Sequence, residues 1–159
     1  MNYPMGLPAG ISSTLADGIA PAVARWAATQ ERRILKEGQP LEADLLSFAG
    51  ALGISRPDEI RVMKVKRIPL PVPDWMMKIG RMCRLPVFAP AGMALGKGIY
   101  VVPGYESSLP HELVHVMQYE REGGIAGFMN LYLRQCLEDG YPGSELEEEA
   151  RVKGWLPSA

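Results

Sequence analysis

The segment His111-Glu112-Leu113-Val114-His115 places the two histidines of the chain four residues apart, with a glutamate directly after the first. On a helix, positions i and i+4 are neighbours, with Cβ atoms about 5–6 Å apart. Two imidazoles so placed can reach one zinc ion at Zn–N distances of about 2.0–2.1 Å. Glu112 follows His111 by about 100° of helical rotation, so it flanks the two-histidine stripe without joining it. This is the H-E-x-x-H pattern of zinc-dependent hydrolysis, in which the glutamate serves as general base. The competing reading is a pair of helix histidines with ordinary packing partners and no metal.

The residues around the motif supply its helix. Ser107 or Ser108 can cap it, Pro110 suits its first turn, and Gly123-Gly124 stops it, so a helix is predicted over 109–122. A strand-like run, Ile99 to Val102, ends just upstream. Catalytic zinc generally takes three protein ligands and leaves one position for water. With no third histidine, the remaining ligand must be a carboxylate or a cysteine. The acidic helix that begins at Ser144 offers Glu147, Glu148 and Glu149, and Asp139 precedes it. Ser144-x-x-Glu147 also reads as a capping box, which needs no metal. Cys83 and Cys136 form no C-x-x-C pair and no disulfide framework, and read as buried free thiols.

Residues 111–122 (HELVHVMQYERE), taken with Glu147-Glu148-Glu149-Ala150 downstream, resemble gluzincin-type zinc metallopeptidases. They are also similar to small bacterial zincin-like proteins that carry H-E-L-x-H-x-x-Q. The resemblance spans about 111–151 and reaches loosely back to 92–102, while the first eighty residues resemble no named family. It implies a zincin-like fold and a Zn2+ cofactor held by His111, His115 and, through the E-x-x-A match, Glu147. It further implies Glu112 as general base, and a peptide or protein substrate that adds to the strand near 87–95. Gluzincins place an aspartate four residues after the glutamate ligand to orient a histidine, and this chain has Arg151 there. A cation accepts no hydrogen bond from an imidazole N–H, so another acceptor must hold His111 or His115. The metzincin pattern is excluded, because Gln118 and Arg121 stand where it needs glycine-linked spacing to a third histidine. Tyr132, Arg134 and Tyr141 are the candidates for stabilising an oxyanion, by proximity in sequence alone.

The elements that must position this chemistry follow from punctuation and periodicity. A chain of 159 residues is most economically one domain, spanning 1–159, able to bury about 68–70% of its unfolded surface. Residues 1–13, rich in Pro, Gly and Ser, are predicted to be poorly ordered. A first helix is predicted from Pro21, at N1, to Glu37, with Gly38 as its C′ stop and Ile19, Val23, Trp26, Ala27 and Ile34 on its apolar stripe. A second runs from Pro40 to Leu52, before Gly53, burying Leu41, Leu45, Phe48, Ala49 and Leu52. Ile60 to Ile68 reads as a strand, Pro69, Pro71 and Pro73 as an extended segment, and Trp75 to Cys83 as a short helix capped by Asp74. Strands near 87–95 and 99–102 meet through Gly96-Lys97-Gly98 in a hairpin. Helices over 125–138 and from Ser144 to near Gly154 close the chain. The order argues an α+β fold with N-terminal helices, a small mainly antiparallel sheet, the motif helix and a C-terminal glutamate-bearing helix.

Composition narrows the function further. A net charge of −1 and a pI near 6.1 leave no basic footprint for nucleic acid. No secretory signal and no apolar run long enough to span a bilayer are visible, which makes the cytoplasm the expected compartment. The leading expectation is a zinc-dependent peptidase. A zincin-fold metal-binding or interaction module without turnover is the alternative, and a metal-free interaction domain using exposed Trp and Met residues is a third. Nothing in the sequence bears on oligomeric state.

Overall fold

A computed structural model describes residues 8–72, 90–139 and 143–155. The predicted helix over 75–83, the start of the strand over 87–95, and Pro73, Cys83 and Tyr141 lie outside these residues. Among the described residues the architecture is α+β, with five α-helices and a four-stranded mixed sheet.

Helix α1 spans Ala9–Glu37 and so begins twelve positions earlier than Pro21, within the segment predicted to be poorly ordered. A proline inside a helix removes one hydrogen bond and costs about 3 kcal/mol or more. Pro21 and Asp17, whose carbonyl loses its partner, both face solvent, so water can satisfy the freed group. The opposite face carries Ser12, Ala16, Ala20, Ala27 and Ile34 into the core. It packs along helix α4 (Ile125–Asp139), which runs antiparallel to it. Ser12 Oγ donates to Glu138 at 2.6 Å, and Asn130 Nδ2 to Asp17 at 2.7 Å. Ile19, expected on the buried stripe, is 46% exposed. Gly38 is not a left-handed stop either: its backbone is extended, at φ −78°. A Cβ there would lie 2.6 Å from Ile34 O and 3.0 Å from Val62 O, so close approach of a strand explains the glycine.

Helix α2 (Ala43–Ala51) starts later than predicted because Gln39–Pro40 forms strand β1. Strand β2 is Arg61–Lys64, and the hairpin strands β3 (Gly92–Leu95) and β4 (Gly98–Val101) turn at Gly96, whose φ of +63° suits glycine. The sheet order is β1-β2-β4-β3. The hairpin and the β1–β2 pair are antiparallel, but β2 and β4 pair in parallel, with Val62 opposite Ile99. The sheet is mainly antiparallel, as expected, but its central pairing is parallel, which makes it mixed. Ile99, Tyr100 and Val101 of β4 are fully buried, and α1 lies against this strand, with Tyr100 donating to Gln30.

Helix α3 (Leu109–Arg121) carries the H-E-x-x-H motif, and helix α5 (Glu145–Lys153) carries Glu147. Gly123 and Gly124, at φ +79° and +109°, end the motif helix as its sequence predicts. Its start differs from expectation. Ser108 makes no capping bond to the helix, and its hydroxyl donates backward to Tyr105 O at 2.8 Å. Helix α3 packs against both β3 and α5. The edge strand and the C-terminal helix thus meet the motif from two sides.

Candidate metal centre

His111 and His115 face the same way from α3, with their Nε2 atoms 3.1 Å apart. Ser144 caps α5 by accepting from Glu147 N at 3.2 Å, which makes half of the predicted capping box. The carboxylate of Glu147 does not complete the box. It turns to the histidines, with Oε2 3.2 Å from His111 Nε2 and Oε1 3.4 Å from His115 Nε2. Tyr132 Oη donates to the same Oε1 at 2.9 Å.

These separations test whether a metal fits. Ligand atoms around a tetrahedral ion with bonds of about 2.0–2.1 Å stand roughly 3.3 Å apart. The two Nε2 atoms, 3.1 Å apart, are near that spacing, and the two Glu147 oxygens lie 3.2 Å from one of them and 3.4 Å from the other. His111, His115 and Glu147 therefore form a cluster able to hold a metal ion. Of the alternatives weighed for the third ligand, Glu148 is exposed and paired with Arg151, and Glu149 is engaged by Arg121, Lys153 and Gln118. Asp139 is not among the clustered residues.

The electrostatics agree with the geometry. Burial works to raise the Glu147 carboxyl, but hydrogen bonds from His111 and His115, the charge of His115 and the Tyr132 hydroxyl together hold its pKa at about 2. His115 is 7% exposed. Its burial disfavours the charged ring, yet the hydrogen bond to Glu147, the charges of Glu112 and Glu147 and the Gln118 contact raise its pKa.

Glu112 flanks the pair as the helical geometry requires, and it is buried. Its Oε2 accepts the Ala94 N–H of β3 at 3.0 Å. Burial raises its pKa, against the pull of His115 and His111. Tyr119, also buried, donates to Ala94 O at 3.2 Å. Both outward backbone groups of Ala94 are thus bonded to the motif helix. Gly92 leaves the room that the carboxylate occupies, since a Cβ there would stand 2.7 Å from Glu112 Oε1.

A cavity of about 210 Å³ opens beside this cluster. Val23, Trp26, Met93, Phe128, Met129 and Leu133 form its apolar wall, and His111, Glu112, His115 and Glu147 its polar end. The rings of Tyr119, Phe128 and Tyr132 stack in series, with centroids 3.8 and 5.4 Å apart. Of the oxyanion candidates, Tyr132 lines the cavity while already bonded to Glu147, and Arg134 donates to Asn130 at 3.0 Å. Cys136 is half-buried, and burial together with the Glu147 charge pushes its thiol up to about 12.

One further residue of the H-E-L-x-H-x-x-Q segment touches the site. Gln118, fully buried, reaches His115 Nδ1 through Oε1 at 2.8 Å. Its signal was the H-x-x-Q spacing, which puts it one helical turn beyond His115.

No protein-family model matches the chain, and comparison with curated proteins and with solved structures gives no significant match.

Proposed function

We propose that this protein is a zinc-dependent peptidase in which His111, His115 and Glu147 hold the metal and Glu112 acts as general base. One observation carries the reading. Three side chains suited to zinc, two imidazoles and a carboxylate, bring their ligand atoms within 4.8 Å of one another, and a buried carboxylate adjoins them in the same cavity. Zinc in such a set supplies Lewis acidity toward a carbonyl and brings the pKa of water from 15.7 to about 7. The chain's own groups do the rest. Glu112 takes the proton of the attacking water and returns it to the leaving nitrogen. Burial raises its pKa above the ordinary carboxylate range, which favours its holding that proton between the two steps. The wall of Trp26, Met93, Phe128 and Leu133 receives an apolar side chain next to the scissile bond and keeps bulk water from the carbonyl. Because Ala94 is already bonded on both sides, an extended substrate would pair with β3 at Gly92.

A second reading, a metal-binding module without turnover, draws on Tyr132. Its hydroxyl is spent on Glu147, so a donor for a developing oxyanion must come from elsewhere. Purified protein is expected to contain about one zinc per chain and to cleave members of a broad peptide library. Glu112→Gln should retain the metal and lose cleavage. A variant as active as wild type would remove the general base, and a zinc-loaded wild type that cleaves nothing would favour the module.

A further inference from the structure

We propose that Gln118 is the positioning residue of the metal centre, holding His115 in its ligating tautomer and tying the helix that bears Glu147 to the helix that bears the histidines. The inference rests on the metal reading above. Gln118 Nε2 lies 2.9 Å from Leu146 O and 2.8 Å from Glu149 Oε2. Both are acceptors, so that end of the carboxamide must be the NH2 group. The opposite end is then the carbonyl oxygen, 2.8 Å from His115 Nδ1. A carbonyl only accepts, so Nδ1 carries the hydrogen. In the neutral ring Nε2 is left with its lone pair, and Nε2 is the atom that faces His111 Nε2 and Glu147 Oε1.

The same side chain spans the two ligand-bearing helices. Its oxygen grips a ligand of α3, and its nitrogen grips the carbonyl of Leu146, the residue before the Glu147 ligand in α5. Glu149, the third partner, is itself held by Arg121 at 2.9 Å and by Lys153 at 2.7 Å. This explains why an amide stands where metal-bound histidines often have a carboxylate. A carboxylate at 118 would face the Glu149 charge and the Leu146 carbonyl with nothing to donate. It also answers the departure at Arg151, which is exposed and paired with Glu148.

The test has a readout that does not depend on turnover. With only two histidines in the chain, long-range proton–nitrogen correlation spectra resolve each ring. Zinc-loaded wild type is expected to show His115 with its hydrogen on Nδ1 and with Nε2 bound to the metal. Gln118→Met, which offers Nδ1 no acceptor, should move that Nδ1–H resonance upfield and speed its exchange with water. Zinc affinity, measured by competition with a chelating dye, should fall about 10–100-fold in Gln118→Met. Zinc-loaded wild type whose His115 binds through Nδ1 and carries its hydrogen on Nε2, which needs no variant to observe, would overturn the assignment. So would wild type and Gln118→Met binding zinc equally well. Wild type that takes up no zinc would instead overturn the metal reading on which the assignment rests.

Discussion

Glu112 is held from two sides, by the Ala94 N–H on one oxygen and by the bare Cα of Gly92 beneath the other. Gly92→Ala would place a methyl group 2.7 Å from Oε1 and 2.8 Å from Ser108 Oγ, so the carboxylate must shift. Misplacing a reacting group by about 1 Å can cost a hundredfold in rate. Gly92→Ala is therefore expected to keep its zinc while peptide hydrolysis falls by about that factor. Elemental analysis and steady-state rates on the same sample would check this, and an unchanged rate would argue against Glu112 as base. His115→Ala belongs to the same scale. It removes one of three ligands and should leave the purified protein without zinc, again by elemental analysis.

At the scale of elements, the site depends on α5 staying seated against α3. Gly154, just past α5, makes part of that seat: a Cβ would lie 2.7 Å from His111 Cα and 2.9 Å from His111 N. Those are backbone atoms and cannot swing aside. Gly154→Ala should consequently push the end of α5 from the motif helix and weaken zinc binding, as titration against a chelator would show. Glu149 is the charged part of the same seat. Burial opposes its charge, but hydrogen bonds from Lys153, Gln118 and Arg121 lower its pKa from 4.5 to about 2. A carboxyl depressed in the folded state adds stability above its unfolded pKa and loses it as pH falls through the folded one. In metal-free protein, the stability gap between wild type and Glu149→Gln should be full at neutral pH. The partners are partly exposed, so screening leaves a gap of about 1–2 kcal/mol. It should close between pH 4.5 and about 2. Urea midpoints across that range provide the measurement, and a gap that persists at the acid end would contradict the assignment.

For the whole molecule, a metal held by His111, His115 and Glu147 would cross-link two helices whose ligating residues are far apart in sequence. An ion that binds the folded chain alone adds about 4.1 kcal/mol when its free concentration is a thousand times Kd. For a chain of this size each kcal/mol shifts Tm by about 2–4 °C. Stripping zinc with a chelator is thus expected to lower Tm by about 8–16 °C, seen by calorimetry, and readdition should restore it. A melt indifferent to metal would mean that the cluster takes none. No helix of the described residues is long and apolar enough to cross a membrane.

The sequence by itself determined which residues could ligate a metal and the helices that carry them. H-E-x-x-H, Pro110, the paired glycines and Ser144-x-x-Glu147 act through neighbours three or four residues away, and the local backbone obeys them wherever the chain goes. That is why α3 and α5 lie where periodicity and capping place them, whereas the choice of Glu147 as third ligand came from the E-x-x-A resemblance. Tertiary structure alone decided the rest. Pro21 sits inside α1 because packing against α4 outweighs a lost bond on the solvent face. Strands β2 and β4 pair in parallel although no local signal links Val62 to Ile99. Gly38, Gly92 and Gly154 look like loop punctuation in the chain, yet each makes room for a group distant in sequence or fold. Gln118 acquires its role only when α5 brings Leu146 and Glu149 to its amide. Such contacts depend on which distant surfaces bury each other, a balance of packing and chain entropy that no short window of residues contains.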